Sequence, residues 1–272
     1  MTLRTPICDR FGIEHPVFLA GMGEVAFAEL VAAVSEAGGY GVLGMAASPP
    51  ERIREQMRAV RRLTAKPFGV DMLAALPDRV EAAIDVILEE GASCFVAGLG
   101  VPAPVTERCH QAGVQVMVVC GKVVHAQRAE DAGCDAVVAQ GVWMGTRFIA
   151  TREARAARIY KERLVAAGDA DTEITRAYSG KPMRVLRNAW VDGWRARGDE
   201  IQPFPMQMLE SARAGVLGFT DDDAADPART CMPAGQGAGA IRDVPAAAEV
   251  VRGVVTDAAA ILRRLGALAG PA

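Results

Sequence analysis

Aromatic residues make up only 5% of the 272-residue chain, and no cluster of basic side chains is interleaved with them. A nucleic-acid partner is therefore not expected, because such an interface needs a basic footprint and stacking faces. No apolar run approaches the roughly 18 residues that span a bilayer, so no membrane partner is expected either. The first nine residues lack the long apolar core of a secretory leader. The six cysteines (Cys8, Cys94, Cys109, Cys120, Cys134 and Cys231) are scattered, with no CxxC pair and no Cys/His cluster at metal spacing. A metal centre is not expected, and reduced thiols in a cytoplasmic protein are. Histidine is scarce, at His15, His110 and His125. Cys109 adjoins His110, but neighbours on a helix point about 100° apart, which argues against a nucleophile–base pair. The dinucleotide fingerprint is missing too. Gly98-Leu99-Gly100 begins like one, yet Ala103 stands where the third glycine belongs.

Hydrophobic residues are plentiful, at 51%, and the net charge of −3 is small, so a packed core is expected. The first half repeats one pattern: a short apolar run ending in a small residue, then an amphipathic segment. The runs fall at 17–20, 41–45, 68–73, 94–99, 116–119 and 136–139. Near-continuous apolar strands alternating with helices imply a parallel sheet covered by helices. Phe27, Leu30, Val31 and Val34 form a helical stripe that ends at Gly38-Gly39. Ser48-Pro49-Pro50-Glu51 reads as a capping box ahead of Ile53, Met57 and Val60. Pro77 opens a third helix with Val80, Ala83, Ile84, Ile87 and Leu88 inward. Six such units predict an α/β chain with a (β/α)8-type barrel.

Beyond residue 151 the pattern changes to Arg- and Ala-rich helical stretches and loops rich in Trp, Pro, Gly and Asp. The expected organisation is a barrel over 1–151 and 244–272, with a smaller, mostly helical cap over 152–243. A last helix opens near Pro245, with Ala248, Val251, Val255, Ala258 and Leu262 inward. One junction does not fit a simple barrel. The strand ending at Gln140-Gly141 runs straight into a second strand-like stretch at 142–149. Neighbouring parallel strands need a crossover of a dozen or more residues, and a single strand over 136–149 would run ~45 Å, too long for a globular sheet.

Several stretches resemble the nitronate monooxygenases, once called 2-nitropropane dioxygenases, within the FMN-dependent TIM barrels. They are 13–16 (Ile-Glu-His-Pro) running into 20–23 (Ala-Gly-Met-Gly), then 30–39 with 41–44, 66–71 (Lys-Pro-Phe-Gly-Val-Asp), 133–141 and 142–148 (Val-Trp-Met-Gly-Thr-Arg-Phe). Toward the C-terminus come 180–182 with 185–188, 202–205, and 234–236 with 239–243. The resemblance implies bound FMN at the C-terminal mouth of a barrel, and oxidation of a nitronate or nitroalkane with O2 to a carbonyl compound and nitrite. A homodimer is compatible with it. Relatives continue the strand that ends at Gly141 into a Glu-Ala-Gly-Gly-His segment carrying the catalytic histidine, then a helix, a strand and another helix. That segment is absent between Gly141 and Val142, so the barrel is expected to lack at least one βα unit. No catalytic residue is assigned.

By the same resemblance, Gly21, Met22 and Gly23 lie near the flavin ring. Asp71 stands where relatives usually carry Asn; a carboxylate there loses a donor and adds negative charge beside an electron-accepting ring. Gln140 contacts the ring or ribityl chain, and Gly145 and Thr146 hold the phosphate. Lys122 follows the fifth strand and faces the mouth, and His125 lies just beyond it. Two other readings stay open: a flavin reductase using NAD(P)H, of the enoyl-acyl-carrier-protein reductase type, and a non-catalytic remnant of the family.

Overall fold

The computed structural model describes residues 3–46, 48–100, 102–120, 123–138, 143–168 and 170–268. The chain divides into two compact units, Met1–Met144 with Ala246–Ala272, and Gly145–Pro245. The first boundary falls seven residues before 151/152, with the short helix after Met144 in the second unit, and the second falls two residues after 243/244.

The first unit is a curved parallel sheet wrapped by helices. Its strands are β1 (Phe18–Leu19), β2 (Gly41–Gly44), β3 (Phe68–Leu73), β4 (Cys94–Gly98), β5 (Gln115–Val119), β6 (Ala136–Val138) and β7 (Trp143–Met144). β2 to β6 form one sheet in sequence order, and β7 pairs in parallel with β1. A parallel bridge from Phe18 to Tyr40 joins β1 to the edge of β2. The strands therefore run in the order β7-β1-β2-β3-β4-β5-β6. Among the described residues no ladder links β6 to β7, so the barrel is open there, as the missing unit predicts.

The helices follow the apolar periodicity. α1 (Pro6–Phe11) precedes the first strand, and α2 (Ala28–Glu36) buries Leu30, Val31 and Val34 completely. α3 (Pro50–Leu63) buries Ile53, Met57 and Val60, and α4 (Pro77–Glu89) buries Val80, Ala83, Ile84 and Ile87. α5 (Ala103–Gln111) and α6 (Val123–Asp131) are shorter. The capping box at Ser48 does not form. Pro49 takes the N-cap position without a side-chain bond, and the Ser48 N–H is spent on the Met45 carbonyl.

Phe11, Phe18 and Tyr40 pack edge-on and tilted at 5.1–5.3 Å, and with Cys94 and Met117 they seal the N-terminal end of the sheet. Such contacts add about 1 kcal/mol each beyond area burial.

In the second unit, α7 (Thr146–Ile149) is followed by α8 (Arg158–Ala166), then an antiparallel hairpin of β8 (Thr172–Thr175) and β9 (Met183–Leu186). α9 (Ala189–Arg195) and α10 (Met206–Arg213) complete its regular helices. The hairpin departs from the helical expectation. Its register puts Thr172 opposite Leu186 and Thr175 opposite Met183, and Val185 is buried while Ile174 is exposed. Tyr178, Val185, Val191, Val216 and Cys231 form its core.

Back in the first unit, α11 (Ala247–Leu268) buries Ala247, Val250, Val251 and Ala259. Leu262, expected inward, is 52% exposed, because the buried face stops at Ala259.

Candidate functional site

In a parallel barrel the groups at the C-terminal strand ends and the loops after them carry the chemistry. At the end of β1 the chain turns through Gly21, Met22 and Gly23 across its neighbours. The Met22 carbonyl lies over Gly44, where a Cβ would come within 2.2 Å of its oxygen, so only glycine permits this crossing. Gly21 lies against Asp71 of β3, and a Cβ on Gly21 would stand 2.2 Å from the Asp71 Cβ and 2.4 Å from its Oδ2. The structure thus brings Gly21 and Asp71 together, with Met22 half-buried and Gly23 exposed beside them.

Asp71 is 8% exposed, and burial pushes its carboxyl well above the usual carboxylate range. Relief by an ion pair is not found among the described residues. The charged carboxylate expected here is the costlier state of this group.

In the second unit, Gly145 precedes α7, whose Phe148 and Ile149 are buried and anchor it. Gly145 and Thr146 remain half-buried and reachable. The Thr146 Oγ1 accepts a hydrogen bond from the Gly235 N–H at 2.9 Å. A hydroxyl used as an acceptor keeps its own proton to donate. Arg147 clamps the same returning segment, with Nη2 2.8 Å from the Asp243 carboxylate and Nη1 donating to the Asp243 carbonyl at 3.0 Å. Gly235 and Asp243 were not picked out as site residues in the sequence. Both lie in the stretches 234–236 and 239–243 that carry the family resemblance, which marks them without giving either a role.

Lys122 and Gln140, two further candidates, lie outside the described residues, as do Gly141 and Val142 at the shortened junction. Of the histidines, His110 lies on α5 and pairs with Asp135 at 2.8 Å, which also accepts the Val116 N–H and Arg10. Burial raises the Asp135 carboxyl, but the bonds from Val116, His110 and Arg10 outweigh it and hold the group below its usual range. Val116 begins the run of β5, so this network sits at the N-terminal face, where barrels concentrate stability rather than chemistry. His15 precedes β1 with its Nδ1 buried and unpartnered, and His125 sits half-buried in the first turn of α6. Cys109 is buried and its thiol is pushed up to about 11 by burial, which removes it as a nucleophile. All six cysteines are free, and no metal-binding group of three or more donors occurs among the described residues. No described helix is long and apolar enough to cross a membrane.

Known proteins match both units. The profile of the nitronate monooxygenase family matches residues 4–85 and 139–257. A (3aS,4S,5R,7aS)-5-hydroxy-7a-methyl-1-oxo-octahydro-1H-indene-4-carboxyl-CoA dehydrogenase of Mycobacterium tuberculosis is 30% identical over 254 aligned positions, covering 73% of this chain and 71% of the relative. The aligned positions outnumber the residues of this chain they cover, so the relative carries segments this chain lacks. Among solved structures, FabK from Thermotoga maritima superposes with a TM-score of 0.85 at 28% identity, covering 97% of this chain and 100% of that one. A nitroalkane oxidase from Streptomyces ansochromogenes shares the fold, with a TM-score of 0.80 at 24% identity, covering 95% of this chain and 100% of the other. With the profile spanning the strand ends of the first unit and the Gly145–Thr146 turn of the second, the chain belongs to the nitronate monooxygenase family of flavin-dependent oxidoreductases.

Proposed function

We propose that the chain binds FMN and oxidises alkyl nitronates with O2, yielding a carbonyl compound and nitrite. The observation that carries this reading is Thr146, an accessible hydroxyl fixed by the Gly235 N–H and left with one proton to donate. A phosphate oxygen is the natural acceptor for that proton, and hydrogen bonds to an ionised acceptor are short and strong. The residues fit the cofactor elsewhere too. Gly21 and Gly44 carry no Cβ where the backbone packs closest, and Asp71 is a buried polar group with unspent hydrogen-bonding capacity. Bound flavin supplies the electron chemistry, taking electrons from the substrate and passing them to O2. The residues that would hold the phosphate are Gly145 and Thr146 of the second unit, and the family resemblance assigns Gly21–Gly23 and Asp71 of the first to the ring.

The substrate is the preformed nitronate rather than the neutral nitroalkane. Removing a carbon-bound proton needs a positioned base, and the histidine segment that supplies it in relatives is missing. His15 and His110 lie at the other end of the strands, with His110 paired to Asp135, and His125 opens α6 beyond β5. Steady-state oxygen uptake on a nitronate and on its parent nitroalkane tests this. The nitronate should react roughly 100-fold faster or more, the usual worth of a general base. Equal rates would show that another base acts.

A second reading is favoured by the 30% identical CoA-thioester dehydrogenase and by the FabK superposition. It is a flavin reductase drawing on NAD(P)H and acting on a thioester. Anaerobic mixing with NADH separates the two: rapid bleaching of the flavin spectrum marks the reductase, and a persistent spectrum marks the nitronate oxidase.

A further inference from the structure

Asp71 is the only acidic residue among the buried polar side chains of the described chain. It pairs in register with Gly44 of β2 and Val96 of β4, near the C-terminal ends of the strands. Its carboxyl reaches between two glycines. Oδ2 lies 2.4 Å from where a Gly21 Cβ would be, and Oδ1 lies 3.6 Å from the corresponding point on Gly98. Its backbone carbonyl is taken by the Met45 N–H, and among the described residues no charged group is paired with its side chain. Among the described residues, the groups packed against it (Gly21, Gly44, Met45, Val96 and Gly98) carry no titratable side chain. Glu24, the first titratable residue of the Gly21 loop, is exposed and paired with Arg52 at 3.3 Å. Burying an unpaired carboxylate costs several kcal/mol, far more than burying the neutral acid.

We propose that Asp71 is a neutral carboxylic acid at neutral pH, and that its O–H donates a hydrogen bond to the bound flavin ring, making cofactor retention weaken as pH rises. The protonation state stands on the geometry alone, while the donor role rests on the flavin reading above. A neutral acid carries one donor and one acceptor, much as a primary amide does, so it restores the donor that a carboxylate lacks. It also keeps negative charge away from a ring that must accept electrons. The direction of the carboxyl's shift agrees, because desolvation raises it with no charged partner opposing among the described residues. Other proteins keep a carboxylic acid neutral in an apolar site so that it can donate.

The test has two arms. In the first, infrared spectra of the FMN-free protein are taken across pH, and wild type is compared with Asp71→Asn. A protonated-carboxyl band at pH 7 that the substitution removes supports the proposal. A carboxylate band assigned to Asp71 at pH 7 overturns it. The wild-type pH titration of that band reads the same point should Asp71→Asn fold poorly. In the second arm, FMN is titrated by fluorescence quenching at several pH values. Wild type should lose affinity as pH rises, Asp71→Asn should hold the low-pH affinity throughout, and Asp71→Ala should bind roughly tenfold more weakly than wild type does at low pH, with the gap closing as pH rises. If Asp71→Asn follows the wild-type pH dependence, or if Asp71→Ala binds like wild type at low pH, the donor role is overturned. A neutral acid in the first arm with no FMN binding in the second overturns the flavin reading and leaves the protonation state standing.

Discussion

Thr146→Val removes one hydroxyl and nearly preserves shape, so it isolates the oxygen that the proposed phosphate site depends on. In the protein alone, Oγ1 accepts from the Gly235 N–H at 2.9 Å, with Thr146 half-buried and Gly235 exposed. Losing that bond costs about 1 kcal/mol, since water can partly replace the acceptor. In the proposed FMN complex, the same hydroxyl would donate to a phosphate oxygen. A hydrogen bond to a charged group contributes about 1.5–3 kcal/mol, which corresponds to roughly 10- to 150-fold in affinity. FMN titration by fluorescence quenching and thermal unfolding of the FMN-free protein read the two terms separately. Thr146→Val should bind FMN at least tenfold more weakly and melt only a few degrees lower, while Thr146→Ser should restore most of the affinity. A variant that melts lower yet binds FMN as wild type does would refute the phosphate reading and leave Thr146 as a tie to Gly235.

Two further substitutions test the scaffold. Gly21→Ala places a methyl 2.2 Å from the Asp71 Cβ, an atom fixed by β3, so the loop must shift; it should cost about 1–3 kcal/mol in denaturant unfolding and weaken FMN retention. Asn188→Ala removes the cap that accepts the Val191 N–H at 3.1 Å and the donor to the Thr230 carbonyl at 3.0 Å, inside a buried network with Tyr178. It should destabilise the second unit by about 2–4 kcal/mol in chemical denaturation, and a loss under 1 kcal/mol would show the network to be dispensable.

What the sequence displays is whatever repeats locally. β3 appears with its observed bounds, and β2, β4 and β5 within one residue, because a strand buried on both faces is apolar along nearly its whole length, Asp71 of β3 being the exception. Helices α2 to α4 appear because the 3.6-residue stripe has a core to meet. The hairpin β8–β9 is hidden because its four-residue strands alternate polar and apolar too briefly to stand out from the loops around them. Ser48 shows how a correct motif can lose locally, since Pro49 fixes the backbone ahead of the helix and the serine N–H turns to Met45. The site divides along the same line. Gly21 and Asp71 are marked by a strand end and by kinship to a known pattern. The tie from Thr146 to Gly235 joins positions 89 residues apart and has no periodic signature.

The open side of the barrel connects the fold to the chemistry. Only residues 139–142 separate β6 from β7, too few for a parallel crossover, yet β7 pairs with β1 in the same parallel sense as the other strands. Sequential pairing from β1 to β6, with β7 returning to β1, leaves one strand position of an eight-stranded barrel without a counterpart among the described residues. The burial pattern agrees. β4, flanked by β3 and β5, buries Cys94 to Ala97 completely, whereas Val137 on β6 is 45% exposed. A deletion placed there leaves intact the Gly21–Asp71 contact within the first unit and the Thr146–Gly235 hydrogen bond within the second. It removes only the stretch beyond β6 that supplies relatives with a base. On the proposed reading, a chain cut this way keeps residues that would hold a flavin and lacks the segment that would create a nitronate, which is why the nitronate-against-nitroalkane rate ratio is the measurement that tests the fold and the chemistry together.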